Sequence, residues 1–496
     1  MGDITVTVND NQLGTVNVAQ SSVQVVIGPS SAGTTNTLVV TRDPNVLVAN
    51  SGYGKAVEAA ALAAVAGATV IFIKTPTASA GTATSVSAFA TGTSVVTLTL
   101  DGTNGAFDDY QCKFLVVAGG TRGVSGITFQ ISLDAGRTYG PVISLGTAST
   151  YVIPNTGVTL NFGVGTMVAG ESVKFSTTAM TWNTAGVQAA IQAFQNSQYA
   201  QTGIGAGLHI VGPCTGANAS TIEGYLDTLA VGFVYTFAFV EAVDVTMQSA
   251  WGGAGGQTEA QWIAAIQSDY AAVSAKRIVA CAAHWNMPSV ISNAAAGTPR
   301  YRRNIAFAAA ARQTTITPQR SSGRVRDGSL SQIVVDPVND PVDGFVYHDE
   351  QANPGLEASR FLTSIVRIGL QGVYVKSPQV MAPAGSDFAL LMRRTVMDLA
   401  CSIAHTVGQL YIQDDVRLKA NGTIDERDAL GIEQNVTAAL NTALTNNNYI
   451  SNAATLVDRS VVIASTSNLK FSITITGRGY IMTEAITIGF ANPNAA

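Results

Sequence analysis

The 496-residue sequence predicts an α/β protein that carries an inserted segment of β-strands. Apolar runs of strand length alternate with alanine-rich stretches of helix length, and this alternation stops at residue 77 and resumes at residue 183. We therefore expect an α/β host domain with a mainly parallel sheet and flanking helices, C-terminal helices and an antiparallel hairpin, and an inserted all-β, sandwich-like domain.

The host domain is predicted to be discontinuous and to be formed by residues 19–76 and 183–496. These residues are expected to form either one domain or two subdomains. Its first part contains "SSVQVVIGPSSAG", "GYGKAVEAAALAAVAGA" and "TVIFIKTP", which predict a strand, a helix and a second strand. Residues 1–18 alternate like a strand and are expected to form an N-terminal arm. The arm places the apolar residues Ile4, Val6 and Val8 on one face.

Residues 77–182 are rich in Thr, Ser, Gly and Val and contain short alternating runs separated by turn dipeptides. This texture predicts the inserted β-domain, since insertions are tolerated at exposed loop tips. Further along, the longest apolar run, Leu229–Val240, is too short to span a membrane and predicts a buried strand. No stable membrane insertion is expected.

The last part of the chain predicts long helices followed by strands. Residues 387–412 carry an apolar stripe at steps of three and four, and "ERDALGIEQNVTAALNTALTNN" predicts a second helix. Residues 460–496 are expected to form C-terminal strands and an arm. There, a strand with Phe471, Ile473 and Ile475 and a strand with Ile486 and Ile488 flank a Gly-Arg-Gly turn, and the resulting hairpin needs a partner for its open edges.

Charged residues make up 12% of the chain, about half of the roughly 25% typical of globular proteins. A surface this poor in charge suits either a secreted β-rich protein or a subunit covered by its neighbours, and the alanine-rich helices favour the subunit. The net charge of −5 argues against a nucleic-acid partner. The strand-like N-terminus has no secretory pattern, so assembly in the cytosol is expected, with the four cysteines as reduced core thiols.

No sequence motif predicts catalysis, a metal or a cofactor. "SGYGKA", residues 51–56, lacks the first glycine and the final Ser/Thr of a phosphate-binding loop, so we interpret it as the first turn of a helix. The histidines show no paired spacing for a metal, and His348 with Asp349 and Glu350 is interpreted as a solvated loop.

One segment concentrates positive charge and the next concentrates negative charge. The candidate contacts are Arg300, Arg302, Arg303, Arg320, Arg324, Arg326, Asp336, Asp340 and Asp343. Complementary surfaces in a repeating assembly explain both signs, and a self-neutralising loop within one subunit explains them equally well.

The two ends of the sequence resemble phage contractile-tail sheath proteins. "VVIGPSSAG" with "GYGKAVEAAALAAVAGATVIFIK" is similar to the family's first strand, helix and strand. "RRTVMDLACSIAHTVGQL", "ANGTIDERDALGIEQNVTAALNTAL" and "LKFSITITGRGYIMTEAITIGF" resemble its C-terminal helices and final strands.

The resemblance implies a non-enzymatic structural subunit of the virion tail. Its partners would be many copies of itself, the tail tube protein, and baseplate and tail terminator proteins. Terminal strands would be exchanged between copies, and contraction would be a rigid-body rearrangement. Two other hypotheses stay open: an α/β enzyme with an accessory β-module, and another virion shell or tube protein.

Overall fold

The computed structural model describes residues 22–124, 126–201, 207–245, 256–334 and 347–480. The chain divides into two compact units, Met1–Ser402 and Ile403–Ala496. The first unit contains the parallel sheet and the strand-rich segment, and the second contains the C-terminal helices and strands.

The first unit begins with the predicted strand, helix and strand, and adds a short edge strand and helix between them. The elements are β1 (Val23–Gly28), β2 (Leu38–Thr41), α1 (Pro44–Ser51), α2 (Lys55–Val65) and β3 (Thr69–Lys74). Strands β1 and β3 pair in parallel, and β2 pairs antiparallel with β3. Because α2 begins directly after Gly54, the interpretation of "SGYGKA" as a helix N-terminal turn is confirmed.

Antiparallel strands follow, as predicted. They are β4 (Thr82–Ala83), β5 (Val96–Leu100), β6 (Gln111–Ala118), β7 (Gly120–Thr121), β8 (Thr128–Ser132), β9 (Ile143–Ser144), β10 (Thr150–Ile153), β11 (Val158–Phe162), β12 (Thr166–Met167) and β13 (Ser172–Thr178). They form sheets in the orders β10-β11-β5, β4-β13-β6-β8-β9 and β12-β7. Phe114 and Phe162, from the two larger sheets, lie 5.3 Å apart between ring centroids in a shared core. That residues 77–182 are a separate inserted domain stays a prediction.

Helices and parallel strands then alternate again. The elements are α3 (Thr184–Gln195), α4 (Gln198–Gln201), β14 (Gly207–Cys214), α5 (Gly216–Val231), β15 (Phe237–Ala242), α6 (Glu259–Tyr270) and β16 (Ile278–Cys281). They complete a six-stranded sheet in the order β16-β15-β14-β1-β3-β2, parallel except for β2. The mainly parallel sheet predicted from the sequence is confirmed.

The predicted strand Leu229–Val240 is wrong except for its last four residues, Phe237 to Val240. Helix α5 continues to Val231, and β15 begins only at Phe237. Leu229 is buried on the helix together with Leu226 and Ile222, at steps of three and four. An unbroken apolar run does not distinguish a helix end from a strand, because both place apolar side chains in the core.

Both faces of the parallel sheet are buried. Val26 and Phe72 belong to a core that includes α2, whereas Val25 and Ile27 belong to a core that includes α3 and α5. Successive residues of a strand point to opposite faces, so a sheet covered on both faces has strands that are apolar throughout.

Smaller elements complete the first unit. They are β17 (His284–Pro288), β18 (Arg300–Asn304), α7 (Ala306–Gln313), a 3-10 turn (Val325–Asp327), β19 (Ser364–Val366) and β20 (Val373–Val375). Strands β17 and β18 form one antiparallel pair, and β19 and β20 form another. Helix α8 (Leu391–Gln409), the predicted long helix, spans the boundary of the two units.

The second unit continues after α8. Its elements are α9 (Glu426–Leu440), a π-helical turn (Asn441–Thr445), β21 (Asn452–Val457), α10 (Ile463–Thr466) and β22 (Phe471–Thr476). The buried residues of α9 recur at steps of three and four, and Asp425 caps its first turn by accepting the Arg427 N–H.

Candidate functional site

The terminal strand containing Phe471, Ile473 and Ile475 is present as β22, but it pairs with a strand that the sequence analysis did not predict. Strand β22 pairs antiparallel with β21. In this register the facing pairs are Ala453 with Ile475, Thr455 with Ile473, and Val457 with Phe471. The remaining strand-exchange candidates, Ile4, Val6, Val8, Ile486 and Ile488, lie outside the described residues.

The outer edge of β21 is blocked by its own chain. The N–H of Val457 donates to Glu433 Oε1 at 2.7 Å, and the N–H of Thr455 donates to Thr437 Oγ1 at 3.2 Å. Both acceptors are side chains of α9. A strand from another molecule therefore cannot pair with this edge without displacing the helix side chains.

Among the described residues, no side chain or strand blocks the outer edge of β22. Because Thr455 and Val457 direct their N–H groups away from β22, antiparallel geometry requires the facing residues Ile473 and Phe471 to direct their backbone groups away from β21. Within the described part of the chain, no strand pairs with this side of β22. The second unit thus presents one strand edge that can accept another strand.

The two faces of this small sheet differ. Phe471, Ile473 and Ile475 are half-buried on the face where Ala453, Thr455 and Val457 pack against α9. The other face is open, and Leu456 is 61% exposed there. The described part of β22 has no fully buried side chain, so its own unit covers it incompletely.

An ion-pair network fixes the blocked edge. Arg459 Nη1 lies 2.7 Å from Glu433 Oε1, the same oxygen that accepts the Val457 N–H. Hydrogen bonds from Arg459 and Val457 hold the pKa of Glu433 below its ordinary value against the opposing effect of desolvation. Glu433 therefore remains a charged acceptor, which makes the blocking hydrogen bond a strong one.

Strand β21 is not evident in the sequence because its hydrophobic pattern is weak. The buried positions are Ala453, Thr455 and Val457, whereas the exposed position Leu456 is strongly apolar. Alternation of small or polar residues inside with a leucine outside does not stand out as an amphipathic strand. The signal that could have found it is a six-residue run between the turn residues Asn446–Asn448 and Asp458.

The arginine-rich segment is divided between the interior and the surface of the first unit. Arg303 is 1% exposed and binds Asp108 through both terminal nitrogens, at 2.9 and 2.6 Å. Arg302 Nε and Nη2 lie 2.7 and 3.0 Å from the two oxygens of Asp244. These partners belong to the same chain, so Arg303 is corrected from an inter-subunit contact to an interior ion pair.

The later arginines lie at the surface. Arg324 Nη1 is 3.1 Å and Arg320 Nε is 3.7 Å from the carboxylate of Asp327, while Arg326 is exposed. Arg300 is half-buried at the start of β18. The acidic candidates Asp336, Asp340 and Asp343 lie outside the described residues. Contacts of these surface arginines with a neighbouring subunit stay a prediction.

His348 is buried and not solvated, contrary to expectation. Its Nδ1 lies 2.8 Å from Glu259 Oε1 and its Nε2 lies 3.1 Å from Glu350 Oε2. Burial alone would lower the pKa of His348, but the two carboxylates outweigh it and raise that pKa above its ordinary value. The imidazole thus ties the start of α6 to the loop that contains Glu350.

Within the described ranges, no set of three or more His, Cys, Asp or Glu side chains is arranged to hold a metal ion. In the same ranges, no helix combines the length and apolar character needed to cross a bilayer.

Structural comparison finds sheath proteins. The sheath tail protein of Desulfitobacterium hafniense matches with a TM-score of 0.46 and 12% identity, covering 96% of this chain and 100% of that one. The sheath tail protein Lin1278 of Listeria innocua matches with a TM-score of 0.43 and 11% identity, covering 92% and 95%. The helical sheath of the anti-feeding prophage in its contracted state matches with a TM-score of 0.39 and 11% identity, covering 65% and 78%.

The structural likeness is to sheath tail proteins and contractile injection sheaths. No protein-family model matches the sequence, and a search of curated proteins gives no match.

Proposed function

We propose that this chain is a structural, non-enzymatic subunit of a contractile phage tail sheath. Many copies polymerise around a tail tube, with baseplate and tail terminator proteins at the two ends of the tail. Contraction is a rigid-body rearrangement of subunits that drives the tube through the host envelope. The protein is assembled in the host cytoplasm and resides in the virion tail.

The observation that carries this proposal is the outer edge of β22, with which no described strand pairs, beside the blocked outer edge of β21. A two-stranded sheet is marginally stable by itself, and an exposed edge recruits further strands. Blocking one edge and leaving the other open directs an added strand to a single position. This is the geometry that β-strand addition between subunits requires.

The occupant we propose is the strand-like N-terminal arm of another copy, with Ile4, Val6 and Val8 on one face. These apolar side chains would lie beside the half-buried Ile473 and Ile475 and complete a mixed sheet. The strand with Ile486 and Ile488 is proposed to belong to the same exchanged sheet. Backbone pairing would hold neighbours together while the subunits rotate.

Changing Ile473 to Pro tests the edge directly. Proline removes the N–H that points away from β21, so the pairing inside the subunit is retained while the outward ladder is interrupted. We expect a folded protein, by far-UV circular dichroism, that forms few or no wide hollow cylinders in negative-stain images. Ile473→Val, which keeps the N–H, is the matched control and should assemble normally.

Removing residues 1–18 should also prevent the formation of wide cylinders, because it removes the arm that is proposed to pair with β22. The trimmed chain is expected to stay monomeric and folded. Wide cylinders of normal length from either the trimmed chain or Ile473→Pro would overturn strand exchange, and narrow cylinders from the intact chain would indicate a tube protein.

A further inference from the structure

A cavity of about 250 Å³ opens at the carboxyl-terminal end of the parallel sheet, where the sheet meets the strand-rich segment. Its wall includes Pro29 after β1, Gly212 in β14 and Ala242 at the end of β15, so it lies at the carboxyl ends of parallel strands. In the sheet, β1 lies between β3 and β14. The strand order therefore runs in opposite directions on the two sides of β1. Ligands of open α/β sheets bind at this kind of switch point.

Strand β14 is irregular beside the cavity. Its pairing with β15 shifts register between Ile210 and Pro213, and Gly212 has a φ of 117°. A side chain at Gly212 would be strained and would place its Cβ 3.1 Å from Trp182 Nε1. Bulges of this kind widen the space next to a strand and are common beside binding sites.

Charged side chains of both signs lie in the wall, and several of them form ion pairs. Lys55 Nζ lies 3.4 Å from Asp109 and 3.2 Å from Glu241, and Arg302 binds both oxygens of Asp244. With Asp134 and Arg300 also in the wall, a bound anion would lie close to four carboxylates, and a bound cation would lie close to three cationic side chains. The cavity therefore favours a ligand without net charge.

Among the described residues, the buried nitrogen atoms Gln111 Nε2 and His284 Nδ1 at the wall find no hydrogen-bond partner. Gln111 is 9% exposed, and its amide Nε2 has no hydrogen-bond partner among the described residues. His284 is 4% exposed, and its Nδ1 lies 3.1 Å from Asp244 Oδ1 but outside hydrogen-bond alignment. Buried polar groups of this kind are rare in folded proteins, and each one costs roughly 1–3 kcal/mol of desolvation.

The protonation state and tautomer of His284 make its Nδ1 a hydrogen-bond donor. Burial lowers the pKa of His284 to about 4, so the imidazole is neutral near pH 7. Its Nε2 lies 3.3 Å from the Asn304 amide nitrogen, which also donates to the carbonyl of Cys281. An amide nitrogen can only donate, so Nε2 accepts and Nδ1 carries the proton.

We propose that this cavity binds a neutral small molecule that has an apolar body and a carbonyl-type acceptor oxygen. The Gln111 amide and the His284 Nδ1–H donate to that oxygen, and the body packs on wall side chains such as Phe107, Leu133 and Met180. The volume exceeds the roughly 150 Å³ of a cavity that holds benzene, so a single ring with an amide group fits. This site is independent of sheath assembly.

Three molecules of one shape and different charge test the proposal on the full-length chain. Benzamide is neutral and has a carbonyl oxygen, benzoate is an anion, and benzamidine is a cation. We expect saturation-transfer NMR signals and a raised melting temperature with benzamide alone. Gln111→Leu should weaken benzamide binding by roughly two- to tenfold, the value of one hydrogen bond. Gln371→Leu, the same change at an exposed position, should leave binding unaltered.

Val243→Phe provides a second variant, since Val243 lines the cavity and is 39% exposed at its rim. Its larger ring should compete with benzamide for space without disturbing the core. Equal binding of the three molecules, binding unaffected by both Gln111→Leu and Val243→Phe, or no binding of benzamide at millimolar concentration would overturn the proposal.

Discussion

At the scale of single residues, several charged side chains of this protein form ion pairs in its interior. Lys55 bridges Asp109, from the strand-rich segment, and Glu241, from the parallel sheet. Desolvation opposes ionisation of Glu241, but Lys55 and His209 outweigh it and lower the pKa of Glu241 to about 2. Glu241 is thereby held as a carboxylate inside the core, where an unpaired charge would be costly.

Glu58 is the opposite case and gives a pH-dependent prediction. It is 7% exposed, and burial raises its pKa from 4.5 to about 7, despite the attraction of Arg303 and a hydrogen bond from the Val290 N–H. The folded state holds this proton more tightly than the unfolded state, so stability falls as pH rises from about 4.5 through about 7. Glu58→Gln should remove this fall.

Relative to the native chain, Glu58→Gln should raise the free energy of unfolding by almost nothing at pH 4 and by about 3 kcal/mol above pH 7. A pKa difference of one unit corresponds to about 1.36 kcal/mol. Urea unfolding across this range measures it. Glu426→Gln is the control, since Arg459 lowers the pKa of Glu426 and the change should give no gain at high pH. A difference that does not vary with pH would contradict the assignment.

At the scale of elements, close packing of helix α2 on the parallel sheet depends on one glycine. Gly28 ends β1, and a Cβ built there lies 2.6 Å from Ala56 Cβ and 3.3 Å from the Val211 carbonyl oxygen. The alanine-rich face of α2 is buried along its length for the same reason, because small side chains allow a close approach.

Gly28→Ala should therefore destabilise the protein by about 1–3 kcal/mol, because neither the helix nor the strand backbone can move freely. Gly224→Ala in α5 is the matched control. Nothing lies within 4 Å of a Cβ at Gly224, and alanine is the better helix former, so a gain of about 0.5–1 kcal/mol is expected. Urea unfolding of the two variants decides between this account and a tolerant core, in which Gly28→Ala would be neutral while Gly224→Ala would still be stabilising.

At the scale of the whole first unit, the strand-rich segment and the parallel sheet depend on each other. The chain enters and leaves the segment side by side, since Ala78 N–H donates to the Thr181 carbonyl at 2.7 Å and Thr181 N–H donates to the Ser79 carbonyl at 3.0 Å. A short linker could join these ends. However, Asp108 in the segment neutralises the buried Arg303, so removal of the segment leaves a buried charge without its partner.

This arrangement predicts that the effect of Arg303→Met on the free energy of unfolding changes sign when the strand-rich segment is removed. In the full chain, the substitution should cost about 3–5 kcal/mol, because it strands Asp108. In a chain with residues 80–180 replaced by Gly-Gly, the same substitution should stabilise the remainder. Unfolding free energies of the four proteins test this, and Asp108→Asn with Arg303→Met in the full chain provides a double-mutant cycle. Equal losses of unfolding free energy in the full and the shortened chain would show that the energetic contribution of Arg303 does not depend on the strand-rich segment.

The sequence alone predicts the order of the main helices and strands, because hydrophobic periodicity is a local property. It indicated the mainly parallel sheet, the antiparallel segment, the long C-terminal helices, the strand at Phe471–Thr476 and the character of "SGYGKA". It also carried the resemblance to sheath proteins at both ends. These features need only neighbouring residues to be evident.

Which strands pair and which charged side chains are internal follows only from the folded structure. Strand β22 pairs with β21, a strand whose buried positions include alanine and threonine, and α9 blocks the far edge of that pair. Arg303 enters the core, whereas Arg326 stays exposed, because Asp108 approaches only Arg303 from 195 residues away. Such contacts depend on distant parts of the chain meeting, which no local pattern records.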